Sequence, residues 1–453
     1  MEKSKKNILN NKYFQILQYS NFIFLLGFLS GIPFSLNIMS ASISVNYLYF
    51  LFLIIFFFNE KIFLKINKFY YLSFIYFLLI YFLNFFQHKI DFILLRKTFS
   101  FIIFIIPFIF FIFVVSERTI ESLKNSIIYV SIFYGCLTIY WYFEFLYLTK
   151  FDDSFNHALK HYVGGSRMGF FHIVAFFLIL EKIFKNNNWI NYFLLFVNSA
   201  AIYNTYSRTT ILAISVSFII FMIISIQNKN IFNYSKKFLI LFLILLLNLP
   251  IFYKTTKFYD KKFLNLIINS TLNKILIYIP EINFDKLEDK DKDQETKKNY
   301  NENKNNLLFS ENDQTYIKDR ILEFNNPKSS EGYRILIWTK MFNYLYENNS
   351  ILHGSGYIGS FVVDNKMKFS AHSQYFDIFF RTGIIGFSIC LIIYLIFLTK
   401  FKERNYYLFS GLLGVFIYGI FHETFKLSQG GFLFMFFILS FIHERYNLKK
   451  KNA

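Results

Sequence analysis

Three ionisable residues stand at the mouth of an apolar run in "SAHSQYFDIFFRTGIIGF", residues 370–387: His372, Asp377 and Arg381. A charged side chain at the centre of a membrane helix costs roughly 2.5–3.5 kcal/mol. Residues of this kind therefore need a protein partner or an aqueous cavity. Histidine changes protonation near neutral pH, which suits removal of a proton from a hydroxyl group. An interfacial histidine with a purely structural role is the alternative. Asp377 and Arg381 are four residues apart, so on a helix they share one face and pair.

Arginines supply the complementary chemistry. Arg208 follows Ser207 in "YSRTT", between two apolar runs that leave almost no loop. It either snorkels to lipid phosphates or offers its planar fork to the oxygens of a phosphate ligand. Arg167, in "GGSRMGFF", has the same two readings, and the glycines before it allow close backbone approach or a simple turn. Arg334 opens the helical pattern of "SSEGYRILIWTKMFNYLYENN". Three arginines converging on one membrane face point to an anion.

Two other patterns carry little. "GSGYIG" at 354–359 spells GxGxxG but follows a polar "ENNS" turn rather than a strand, so a tight turn is expected. "HALKH" places His157 and His161 at i, i+4 without the glutamate or third ligand of a zinc site.

The elements that must position these residues are membrane spans. The chain has 453 residues, is 55% hydrophobic, and repeats apolar runs long enough to cross a hydrocarbon core about 30 Å thick. The expected fold is an all-α, polytopic membrane protein of about twelve spans. They lie near 21–38, 42–58, 70–86, 100–116, 126–149, 169–184, 190–206, 209–227, 238–253, 377–399, 406–422 and 427–442. The net charge is +19, but many of the lysines sit in short connections between spans, where they set topology, so nucleic acid is not the implied partner. Cys136 and Cys390 both lie inside apolar runs and make no disulfide framework.

Lysine asymmetry puts both termini in the cytoplasm. Residues 1–20 form a cytoplasmic tail, 21–253 hold the first nine spans, 377–442 the last three, and 443–453 a second tail. Residues 254–376 become a large outer segment. Its 285–310 insert is too polar to bury a core and reads as disordered. After it comes an amphipathic helix with Ile335, Trp338, Met341, Phe342 and Leu345 on one stripe.

In this order and placement the motifs resemble those of the O-antigen ligase and O-antigen polymerase superfamily. "YSRTTILAISV", "GGSRMGFF", "YRILIWTKMFNYLYENNSILHGSGYIGSF" and "AHSQYFDIFFRTGIIGF" carry the resemblance, over most of residues 160–400. His172, after Phe171, stands where the family usually has a Pro-Asn stretch. The resemblance implies a bacterial inner-membrane enzyme that transfers a glycan from undecaprenyl diphosphate to an acceptor hydroxyl, on a lipid-linked or saccharide acceptor, without a metal or other cofactor. It assigns Arg208 and Arg334 to the diphosphate, with Arg167 a weaker candidate, and His372 to the acceptor hydroxyl. Ser207, Asp377 and Arg381 are secondary candidates. A repeat-unit polymerase is the alternative within the family, and a non-enzymatic transporter or lipid-glycan flippase the alternative outside it.

Overall fold

A computed structural model describes residues 15–21, 35–38, 41–44, 49, 52–56, 68–87, 104–147, 168–205, 207–227, 244, 330–356, 361–363, 366–368, 371–424 and 428–451. Two compact units divide the chain: Met1–Phe252 with Ile337–Ala453, and Tyr253–Leu336. The chain order is β1 (Ser35–Ile38), β2 (Ala41–Ser44), α1 (Lys68–Gln87), a 3₁₀ helix (Ile106–Ile112), α2 (Glu117–Tyr147), α3 (Gly169–Lys185), α4 (Trp189–Asn204), α5 (Arg208–Gln227) and α6 (Ser330–Glu347). There follow β3 (Phe361–Val363), β4 (Lys366–Lys368), α7 (Gln374–Arg404), α8 (Tyr406–Gly419) and α9 (Ser428–Lys451).

The described fold is predominantly helical. Stretches within α2, α5 and α7 are long and apolar enough to cross a membrane, and α1, α4 and α8 contain shorter apolar stretches. The expected span at 238–253 lies outside the described residues apart from Ile244, as does the insert at 285–310.

Three expected spans take a different local form over part of their length. Residues 35–38 and 41–44, assigned to the ends of the first two spans, are instead an antiparallel hairpin pairing Ser35 with Ser44 and Ile38 with Ala41. The cause is legible in "SLNI" and "ASIS", where polar and apolar residues alternate with the period of a strand. The fourth span, near 100–116, contains a 3₁₀ helix with Pro107 in its first turn. Proline fixes φ and lacks an N–H, which is tolerated at a helix start but not in an α-helix interior. A second short hairpin, β3 with β4, precedes His372.

The core of the first unit is α3, buried along nearly its whole length and packed on α2, α4 and α8. Its packing is aromatic: Phe176 and Phe177 meet Phe218 and Phe221 of α5. At Gly135 of α2 a β-carbon would collide with the backbone of Val197 in α4, so the missing side chain permits that helix crossing. At the far end of α3, buried Glu181 receives Lys124 on both carboxylate oxygens, at 2.9 and 2.8 Å, and Lys185 at 2.7 Å. A carboxylate buried at 4% exposure requires such partners.

Helix α7 is broken at Gly383, where φ is 65°. The broken backbone bonds are re-made by a turn at 351–356. Ser355 and Gly356 N–H donate to the carbonyls of Phe380 and Arg381, at 2.8 and 2.9 Å. Ile384 and Ile385 N–H donate to Ile351 and Leu352. The Tyr76 hydroxyl donates to Thr382 O, at 2.8 Å. Five backbone groups displaced by the break therefore have substitutes, as burial demands. Gly354 (φ 80°) and Gly356 (φ 74°) supply the left-handed turn, and a β-carbon on Gly354 or Gly383 would strike the other segment's backbone. "GSG" is thus the tight turn expected, and it splints a broken helix. Beyond the break, 384–404 is about 21 residues and so about 31 Å long, one bilayer core.

The expected stripe on α6 is rotated. Ile337, Met341 and Leu345 are its buried residues, whereas Ile335 and Phe342 are exposed. Burial follows i, i+4, i+8, and packing chose between two apolar faces of nearly equal merit.

Candidate functional site

The charged pair at the α7 start forms as its spacing requires. Arg381 Nε lies 3.7 Å from Asp377 Oδ1, and both residues are buried, at 1% and 2% exposure. Arg381 also donates to Gly356 O, at 3.5 Å, and its guanidinium lies 5.4 Å from the Phe380 ring centre. The pair faces protein, which accounts for two charges in an otherwise apolar helix. Its burial makes it a brace between helix and turn.

His372 is exposed, and its backbone is left-handed, at φ 53°. Histidine is among the few L-residues enriched there, and such positions cluster at functional sites. The flanks explain how the conformation is held. Trp338 of α6 donates from Nε1 to Ala371 O, at 2.8 Å, and stacks on Phe376 with centroids 4.3 Å apart. Ser373 Oγ donates to Gly419 O, at 3.4 Å, and Gln374 N–H donates to His422 O, at 3.1 Å. Gln374 Oε1 accepts from Thr424 N–H, at 2.9 Å. Residues 371–374 are thus clipped between α6 and the end of α8.

Arg208 is the first residue of α5, exposed, after the buried cap residue Ser207. Ser207 Oγ accepts from Thr210 N–H, at 3.3 Å, which fixes the helix start. Thr210 lies against Gly169 at the start of α3, where a β-carbon would collide with it and with Tyr418. Tyr418 in turn stacks on His422, with centroids 4.6 Å apart. A chain of direct contacts therefore runs from the turn after Arg208, through Gly169, Tyr418 and His422, to Gln374 beside His372. The starts of α3, α5 and α7 and the end of α8 share one end of the bundle.

Arg334 is half-buried on α6, in the part of that helix belonging to the second unit. Arg167, His157 and His161 lie outside the described residues. Among the described residues no cluster has the makings of a metal site.

Two features escaped the sequence reading. One is the α8–α9 connection, where His422 and Thr424 bind the His372 segment; "FHETF" between two apolar runs at the same expected face was the available signal. The other is a buried polar triad joining three helices. Ser131 of α2 lies 2.7 Å from His172 Nδ1 and accepts from Asn198 of α4, at 2.6 Å. No local spacing announces residues 41 and 67 positions apart.

An apolar recess of about 120 Å³ lies between α3, α4 and α5, lined by Phe176, Ile202, Tyr203, Ile211 and Phe218 among others. Ile211 is one helical turn from Arg208, a neighbour on the α5 surface.

Residues 193–391 match the family model described as O-antigen ligase. The match supports the O-antigen ligase superfamily, and the matched segment includes Arg208, Arg334 and His372. Together with the apolar helices, the match supports an integral membrane protein of the glycosyltransferase type to which ligases and polymerases belong. A comparison with curated proteins gives no match.

Proposed function

We propose that the chain is an O-antigen ligase-like transferase, moving a glycan from undecaprenyl diphosphate to an acceptor hydroxyl. The acceptor is a lipid A-core sugar or a similar saccharide, and the reaction takes place at the outer face of the bacterial inner membrane. The observation that carries this reading is the contact chain that brings the helix starts of Arg208 and His372 to one end of the bundle.

The chemistry follows from charge. As the bond from the anomeric carbon to the diphosphate oxygen breaks, negative charge grows on the leaving group. Fixed guanidinium donors stabilise that charge most in the transition state. Arg208 has this role. Arg334 and Arg167 are assigned the same role on their motif positions alone. His372, exposed and held in one backbone conformation, takes the proton of the acceptor hydroxyl as its oxygen attacks the anomeric carbon. Ser207 fixes the Arg208 turn, and Asp377 with Arg381 braces the segment behind His372. The apolar recess beside α5 gives the first isoprene units of the carrier a dry surface within reach of the same helix turn.

Arg208 provides the test. Losing one charge-assisted hydrogen bond of about 1.5–3 kcal/mol corresponds to at least a tenfold loss of transfer, since about 1.4 kcal/mol is one decade. Arg208→Lys restores the charge without the fork and should recover only part. Transfer from purified carrier-linked donor in detergent is the assay, and a chelator should leave it unchanged. Parental transfer by Arg208→Ala would contradict the reading.

A further inference from the structure

The later part of α6, residues 337–347, carries three faces where a helix packed on a water-soluble core needs two. Ile337, Met341 and Leu345 are buried, each one turn from the next. Phe342 and Tyr346, also one turn apart, flank that stripe and are exposed, Tyr346 at 68%. Lys340, Asn343 and Glu347, spaced i, i+3 and i+7, occupy the other flank and are exposed as well. Exposed apolar and exposed polar side chains are therefore sorted to opposite sides of the helix. Water on both sides gives no reason for that sorting; a boundary between water and lipid does.

The turn after α6 identifies the boundary. Leu352 is 63% exposed, and its carbonyl accepts from Ile385 N–H, at 3.3 Å, beside the bond from Ile384 N–H to Ile351 O. Ile384 and Ile385 are exposed too, and they begin the bilayer-length stretch 384–404. Lys402 and Arg404 in the last turn of that stretch belong among headgroups. Its first residues then lie at the opposite edge of the hydrocarbon, and Leu352 lies there with them. Leu352 thus continues the lipid-facing surface of α7. Non-helical backbone persists at such a depth only when the protein satisfies its polar groups. Here Gly354, Ser355 and Gly356 N–H donate to the carbonyls of Ser350, Phe380 and Arg381.

We propose that residues 337–356 form a membrane-interface element, with Phe342, Tyr346 and Leu352 seated in the lipid leaflet at the α7 start. Its partner is the bilayer surface. Tyr346, an apolar ring with a polar tip, suits the headgroup level, while Lys340, Asn343 and Glu347 face water. Trp338 of the same helix holds Ala371 O beside His372, so the seat fixes the height of His372 relative to the headgroups. This inference rests on α7 as a span and not on the transferase reading.

Nitroxide labels on the full-length protein, in nanodiscs of phosphatidylethanolamine and phosphatidylglycerol, test the seat. Phe342→Cys, Tyr346→Cys and Leu352→Cys carry the label, with the native cysteines removed as Cys136→Ala and Cys390→Ala. Asn343→Cys is the contrast on the polar flank. Oxygen concentrates in lipid and a nickel chelate in water. Collisions with oxygen should exceed those with the chelate at Phe342, Tyr346 and Leu352, and the order should reverse at Asn343. The Tyr346 and Leu352 side chains are largely exposed, so their replacement removes little packing. A chelate-dominated label at any of the three apolar positions would overturn the proposal. Oxygen dominance at Asn343 as well would also overturn it, because the helix would then be immersed in lipid rather than lying at its edge. Shielding of the apolar positions from both reagents would equally contradict it, and dipolar broadening between labels would then identify a second copy of the chain as the cover.

Discussion

At the scale of single residues, the ion pair and the histidine differ in how openly the sequence declares them. Asp377 and Arg381 were legible because a four-residue spacing fixes their shared face, and the buried pair at 3.7 Å follows. The left-handed backbone of His372 was not legible, because it is imposed by contacts from Trp338, Gly419 and His422, remote in sequence. The His172–Ser131–Asn198 triad was hidden for the same reason. A prediction follows from the burial of the pair. Asp377→Ala leaves the Arg381 charge in the protein interior without its carboxylate, a loss of about 3–5 kcal/mol. Unfolding in detergent should show a much lower midpoint for this variant. Asp377→Ala together with Arg381→Leu should recover most of the loss, because an apolar pair of similar volume removes the buried charge. Equal midpoints for the single and double variants would show that the brace works by some other contact.

At the scale of elements, the helices were legible from apolar length and the break in α7 was not. "FFRTGIIGFSICLII" reads as one continuous apolar run, and a glycine inside it signals only a weak helix position. What breaks the helix is the turn at 351–356, which offers backbone partners at a register no sequence pattern encodes. The hairpin at 35–44 is the converse case. Its alternation was visible but was outweighed by the apolar content of its surroundings. The glycines give the test at this scale. Gly383→Ala and Gly354→Ala each impose a left-handed φ on an L-residue, about 1–2 kcal/mol, and add a backbone collision. Both should lower the unfolding midpoint and reduce transfer, since the turn and His372 flank the same α7 segment. Gly411→Ala in α8 is the contrast. Its nearest neighbours would sit 3.7 Å from the new methyl, an ordinary contact. Helix propensity then favours alanine by up to about 1 kcal/mol. A midpoint for Gly411→Ala below that of Gly383→Ala would refute this account of the kink.

At the scale of the whole molecule, composition carried the class, a polytopic helical membrane protein, because a bilayer-length apolar run is a property of the chain itself. The way spans pack was beyond it. Period and length say that helices exist, whereas Gly135 against Val197 or Gly169 against Thr210 depend on which helices meet. The inside-out sense of the bundle rests on the lysines of the connections. Single cysteines placed near 295 should therefore react with an impermeant reagent from outside the inner membrane, and one at 402 only from inside. Labelling of 295 solely from the cytoplasmic side would invert the site.

Proton transfer at His372 is the step on which the proposed transfer depends. Removing a general base lowers the rate by roughly a hundredfold or more without removing the contacts that bind the donor. Single-turnover transfer from saturating carrier-linked donor isolates that step. His372→Ala should slow it at least a hundredfold with donor binding nearly unchanged, while His353→Ala, whose side chain is exposed on the adjacent turn, should transfer like the parent. Parental single-turnover rates in His372→Ala would contradict the account.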